Sequence, residues 1–110
     1  MSTAIIKLLS VNVDDQNHVG QTGDWYYLAK INDIAIKVNE EKNIKTIEEG
    51  FQFYLEAYEE DKIVDKGTLS EFYSYNKLQN KHLELTVAVT ENRGRFAGNA
   101  AKVKFVFDIQ

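Results

Sequence analysis

The stretch Phe51–Gly67, FQFYLEAYEEDKIVDKG, alternates apolar and other side chains from Phe51 to Tyr58 and then gathers four carboxylates, at Glu59, Glu60, Asp61 and Asp65. A period of two puts Phe51, Phe53, Leu55 and Ala57 on one face and Gln52, Tyr54, Glu56 and Tyr58 on the other. That is the pattern of a strand with one buried face. The charged continuation through Gly67 reads as a turn.

The same alternation recurs in AIIKLLSVNV (4–13), WYYLAKIN (25–32), IAIKVN (34–39), HLELTVAVT (82–90) and AAKVKFVFDI (100–109). Leu83, Leu85, Val87 and Val89 oppose Glu84, Thr86, Ala88 and Thr90; Val103, Phe105, Phe107 and Ile109 oppose Lys102, Lys104, Val106 and Asp108. Apolar-in, polar-out strands favour antiparallel sheets. With NIKTI (43–47) and TLSEFYSY (68–75) as weaker strands, the chain holds about eight, at the spacing of a sandwich or barrel. Two segments carry a competing signal. Ile44, Ile47 and Phe51 also fit helical spacing, and Thr68 with Glu71 forms a capping-box pattern before Phe72. The predicted fold is a single all-β domain over residues 1–110, an eight-stranded antiparallel β-sandwich.

The composition sets limits on function. A chain of 110 residues, 44% hydrophobic and 27% charged, is one ordinary globular domain. The absence of cysteine removes disulfides, thiolate nucleophiles and cysteine zinc sites. A net charge of −4 argues against nucleic-acid binding, which needs a basic face. No apolar run approaches the ~18 residues of a membrane span. The opening MSTAIIKLLSVNV lacks the basic front and cleavage site of a secretory signal. The expectation is a cytoplasmic chain, with non-classical export or peripheral membrane association as the alternatives; its oligomeric state is not encoded in any motif.

Catalytic signals are sparse. No nucleophile-elbow glycines surround Ser10, Ser70 or Ser74, no phosphate-cradling loop is present, and His18 and His82 read as surface residues. The expectation is a binding module rather than an enzyme.

The acids are the informative feature. Asp14 and Asp15 end the first strand, Asp24 begins the second, and Glu59, Glu60, Asp61 and Asp65 follow the fifth. In an up-and-down antiparallel order the loops after strands one, three, five and seven emerge at one end, so these clusters converge. A hard cation such as calcium takes six to eight oxygens from carboxylates and carbonyls in irregular geometry, and like charges gathered in one place call for solvent or a cation. Solvent is the ordinary answer for a charged loop.

Two segments resemble a known family. IIKLLSVNVDDQNHVGQTGDWYYLAKIN (5–32) is similar to the opening of a C2 domain, the calcium- and phospholipid-binding β-sandwich: an apolar strand, an aspartate loop, then Gly23-Asp24-Trp25-Tyr26-Tyr27 leading into a second strand. FYLEAYEEDKIVDKGTLS (53–70) resembles the family's third calcium loop, with Glu59, Asp61 and Asp65 in its acidic slots and Glu59 standing where aspartate is usual. The resemblance implies a C2-like sandwich whose loop end binds calcium through Asp14 or Asp15, Asp24, Glu59, Asp61 and Asp65. In that reading the cation reverses the sign of the acidic end and draws an anionic membrane surface or a partner protein. The loop ENRGRFAGN (91–99) emerges beside those acids, and Arg93, Arg95 and Phe96 are its candidate lipid or partner contacts.

A rival reading keeps the sandwich and discards the metal. Tyr54 and Tyr58 lie on the outward register of their strand, and exposed tyrosines often mark a binding face. They point to a metal-independent protein-interaction or carbohydrate-binding module, for example an accessory part of a secreted or host-interacting complex.

Overall fold

The computed structural model describes residues 2–14, 24–60, 65–90 and 100–110. Eight strands and one short helix follow in order: β1 (Thr3–Asp14), β2 (Asp24–Ile31), β3 (Ile34–Ala35), β4 (Glu41–Lys45), β5 (Gly50–Glu60), β6 (Asp65–Ser74), α1 (Tyr75–Leu78), β7 (His82–Thr90) and β8 (Ala100–Ile109). They form two four-stranded antiparallel sheets, β4-β1-β8-β7 and β3-β2-β5-β6. The all-β sandwich expected from the alternation is the observed architecture.

The core lies where the alternation puts it. Phe51, Phe53, Leu55 and Ala57 of β5 are buried against Val103, Phe105, Phe107 and Ile109 of β8. Phe53 meets Phe107 edge to face at 5.1 Å, and Tyr27 meets Phe105 the same way at 6.0 Å. Such pairs add roughly 0.5–1.5 kcal/mol beyond the area they bury. Of the doublets Ile5-Ile6 and Leu8-Leu9, the first simply turns Ile5 outward, and the second is reconciled with one buried face by a bulge. Leu8 is opposite Phe107 and Ser10 opposite Val106, so Leu9 is the extra residue. The inward positions shift from Ala4, Ile6 and Leu8 to Val11, which packs on the core.

Both helical alternatives give way to strands. Ile44 and Phe51 sit in β4 and β5, joined by a two-residue turn in which Ile47 and Gly50 exchange backbone hydrogen bonds of 2.9 and 3.1 Å. Thr68 and Glu71 lie inside β6, paired with Glu56 and Phe53. The only helix among the described residues, α1 (Tyr75–Leu78), starts at the last residue of the expected strand TLSEFYSY and buries Leu78.

IAIKVN is a strand only at Ile34–Ala35, plus one isolated bridge from Val38 to Leu8. At residues 36–40 the chain crosses from one sheet to the other, and β4 begins with Glu41 opposite Lys7, well short of the Asp14 end of β1. The Tyr27 hydroxyl accepts the Val38 amide at 2.9 Å during this crossing. The expectation that the loop after the third strand joins the acidic end is therefore corrected: the chain leaves β3 at mid-height. The connections after β1, β5 and β7 do share one end, since Asp14 is paired with Lys102, Asp24 with Glu60, Glu59 with Asp65 and Thr90 with Ala100.

Candidate functional site

Two regions compete as the site, the acidic end and the outer face of the β3-β2-β5-β6 sheet. At the acidic end, Asp14 is the exposed last residue of β1, and Asp24 opens β2 directly across from Glu60. Glu59 and Asp65 do not lie in a loop, as the charge cluster suggests, because β5 runs on to Glu60 and β6 starts at Asp65. Each continues the inward register of its strand, Glu59 after Ala57 and Asp65 before Gly67, and both are buried and engaged in interactions. They are register partners. Period two explains this placement: after Phe51, Phe53, Leu55 and Ala57 the next inward position is 59.

Asp15, Asp61, Arg93, Arg95 and Phe96 lie outside the described residues. Among the described residues no three His, Asp or Glu side chains gather closely enough to hold a metal ion. The described part of the acidic end thus offers strand-end positions and two inward carboxylates, which is less than a calcium ligand set requires.

The outer face of the β3-β2-β5-β6 sheet is built from the opposite registers. β2 contributes Tyr26, Leu28 and Lys30; β5 contributes Gln52, Tyr54, Glu56 and Tyr58; β6 contributes Lys66, Thr68, Ser70 and Phe72. Tyr26 and Phe72 are 43% and 49% exposed, high values for large apolar rings on a sheet. Tyr26 and Tyr58 are cross-strand partners whose rings stack at 5.5 Å and 20°. The Phe72 ring lies over Gly50, where a methyl group would stand 2.4 Å from its tip.

Polar side chains between the rings are already ordered. Glu56 accepts the Tyr54 hydroxyl at 2.6 Å and the Lys66 ammonium at 2.9 Å, and the Gln52 amide donates to the Ser70 hydroxyl at 2.8 Å. The Tyr54 hydrogen bond, with Lys66 second, holds the Glu56 carboxyl below its ordinary range. The same bonds raise the Tyr54 phenol and the Lys66 ammonium. These side chains are held in place by one another, so they have little conformational freedom left to lose.

The other sheet presents a different outer surface. Its central and edge strands carry Lys102, Lys104, Glu84, Thr86 and Thr90 outward, with Glu84 between His82 and Lys104 at 3.4 Å from each. The aromatic rings are concentrated on the first outer face, among Lys30, Glu56 and Lys66, whereas the second is charged and aliphatic, with Ile5 and Val106 between its lysines and glutamates. The alternation of β5 already marked Tyr54 and Tyr58. Phe72 escaped because TLSEFYSY has no clean period, and only its pairing with Gln52 shows that it stands on the same face. No protein-family model, curated protein or solved structure matches this chain.

Proposed function

We propose that the domain is a metal-independent protein-binding module that engages its partner through the outer face of the β3-β2-β5-β6 sheet. The observation that carries this reading is the asymmetry of the two outer faces in aromatic content, with Tyr26, Tyr54, Tyr58 and Phe72 on one and, on the other, lysine, glutamate and threonine with the aliphatic Ile5 and Val106. Tyrosine supplies large, stiff contact area with a polar tip, which is why it concentrates at recognition surfaces. A protein partner fits better than a glycan. Tyr26 and Tyr58 cover each other's ring faces, so edges and hydroxyls, rather than a flat aromatic platform, meet the ligand. The partner chemistry implied is a surface with backbone or side-chain hydrogen-bond groups beside an apolar patch, able to take the phenols and the Phe72 ring.

The test is cross-linking and affinity capture with chelator present throughout. The unmodified chain should retain a defined partner. Tyr58→Ala and Phe72→Ser should lose it, while Thr86→Ala and Lys104→Ala on the opposite face should keep it. Equal capture by both sets of variants overturns the reading.

Calcium-assisted binding of an anionic membrane or a protein at the acidic end is a second reading. It is supported by the register that brings Asp14, Asp24, Glu59 and Asp65 to the end from which residues 15–23, 61–64 and 91–99 depart. Its ligands would include Asp15 and Asp61, and its lipid contacts Arg93, Arg95 and Phe96. It requires that millimolar calcium raise the melting temperature and that Asp61→Asn abolish the rise; an unchanged melting curve sinks it.

A further inference from the structure

β2 has two unequal edges. One is fully paired, with a β5 partner for every residue from Asp24 to Ile31. On the other, β3 pairs with Lys30 and Ile31 alone, the Ile36 amide donates to the Ala29 carbonyl at 3.0 Å, and the chain then departs for β4. Backbone groups of successive strand residues point to alternate edges. Since Ala29 addresses the β3 side, Trp25 and Tyr27 address it too. Their amides and carbonyls face the stretch of that edge beyond β3, on which, among the described residues, no strand is paired.

Within Trp25–Leu28 the strand itself carries none of the usual protection. Exposed edges are normally blunted by lysine, proline or a bulge, but Trp25-Tyr26-Tyr27-Leu28 contains neither residue, and its register with β5 is unbroken. Aromatic residues also favour the extended conformation. A groove of about 280 Å³ runs beside it, lined by Trp25, Tyr26, Leu28, Ala35, Ile36 and Lys37.

We infer that this edge pairs with the same edge of a second copy of the chain, the two β2 strands running antiparallel about a twofold axis at Tyr26. The β3-β2-β5-β6 sheets of the two copies then become one continuous sheet. Backbone parity selects the register. Only odd residues reach the edge, and Ala29 is covered by Ile36, so the pairing that uses both free positions sets Trp25 against Tyr27 of the second copy, twice. Charge selects the occupant. β2 begins with an acid, Asp24, and carries a base, Lys30, one residue before its last, Ile31. Antiparallel self-pairing sets each Asp24 diagonally across from Lys30 of the other copy, a neighbouring position in a sheet. A twofold contact of this kind must be self-complementary, and this strand is. Tyr26 meets its own counterpart, extending the Tyr26–Tyr58 stack into a row of four rings across the outer face.

The chain has no cysteine, so single-cysteine variants read the register directly. Residues opposite one another in a non-hydrogen-bonded antiparallel pair have Cα atoms about 4.5 Å apart, within disulfide range. Tyr26→Cys should give a covalent dimer under mild oxidation, whereas Leu28→Cys, which faces Asp24 of the other copy, should not. The unmodified chain should sediment as a dimer of its 12.6 kDa unit at high concentration. The Trp25 and Tyr27 amides should become protected from hydrogen exchange as dimer forms. Tyr26→Lys, which sets like charges face to face on the axis, should be a folded monomer in which that protection is gone. A monomer at every concentration, or equal cross-linking of Tyr26→Cys and Leu28→Cys, overturns the inference. Both readouts are separate from partner capture by the sheet face, so either proposal can fail alone.

Discussion

Gly67 of β6 lies against the backbone of Ala88 in β7, so closely that a methyl group on Gly67 would stand 2.1 Å from the Ala88 carbonyl oxygen. The two residues belong to different sheets, and their approach joins the sandwich near its acidic end. Gly67→Ala cannot be accommodated by rotating a side chain, because the obstacle is backbone. Overpacking of this sort costs roughly 1–3 kcal/mol. The expected result is a fall in the urea midpoint of that size, with the m-value unchanged.

The turn between β4 and β5 runs against its own residues. Glu48 and Glu49 have φ of 52° and 62°, the left-handed pair that a tight hairpin turn requires. Asn-Gly suits these positions, since glycine carries no steric cost there and asparagine little. Glu48→Asn combined with Glu49→Gly should stabilise the domain by about 1 kcal/mol, read as a higher thermal midpoint. Asn32 and Asp33, at φ of 48° and 65° in the β2–β3 turn, already have favourable chemistry and should gain little from the same exchange.

Two carboxylate–phenol pairs set opposite limits on pH stability. Glu56 is held below its ordinary value of 4.5 by the Tyr54 hydroxyl and by Lys66. A depressed carboxyl contributes stability above its unfolded-state pKa and loses it as pH falls through the folded-state value. The stability difference between the unmodified chain and Glu56→Gln should therefore be constant at neutral pH and shrink once pH drops below 4.5. At the alkaline limit, the Tyr73 hydroxyl donates to Glu71, and its pKa rises from 10.0 to about 12. That contribution is complete below 10.0 and lost as pH passes about 12, so phenolate absorbance in Tyr73→Phe should lack the last-titrating component.

The faces of most strands were legible from sequence because burial repeats every second residue wherever one side of a strand meets a core. Phe51 to Ala57, Leu85 to Val89 and Val103 to Ile109 all lie inward as their alternation requires. The same rule, carried one step further, sends Glu59 inward, yet its charge and its acidic neighbours made it read as part of a loop. Composition and periodicity gave opposite answers there, and backbone geometry followed the periodicity. The aromatic outer face was half legible: Tyr54 and Tyr58 stand out in a clean strand, whereas Phe72 does not.

The sequence by itself determined the class of fold, the single core and the inner face of each regular strand, since all three depend on local alternation and on the amount of apolar surface available. Only the tertiary structure decided which strands share a sheet, because one-sided strands carry no label for their neighbours. It also decided that Leu9 is absorbed as a bulge and that β3 ends after two residues. That last outcome depends on the crossing at residues 36–40, held by contacts such as the Val38 amide to the Tyr27 hydroxyl between positions eleven residues apart. It leaves the Trp25–Leu28 edge of β2 unpaired among the described residues. No local pattern encodes that edge, since which backbone groups find a partner depends on where the rest of the chain packs.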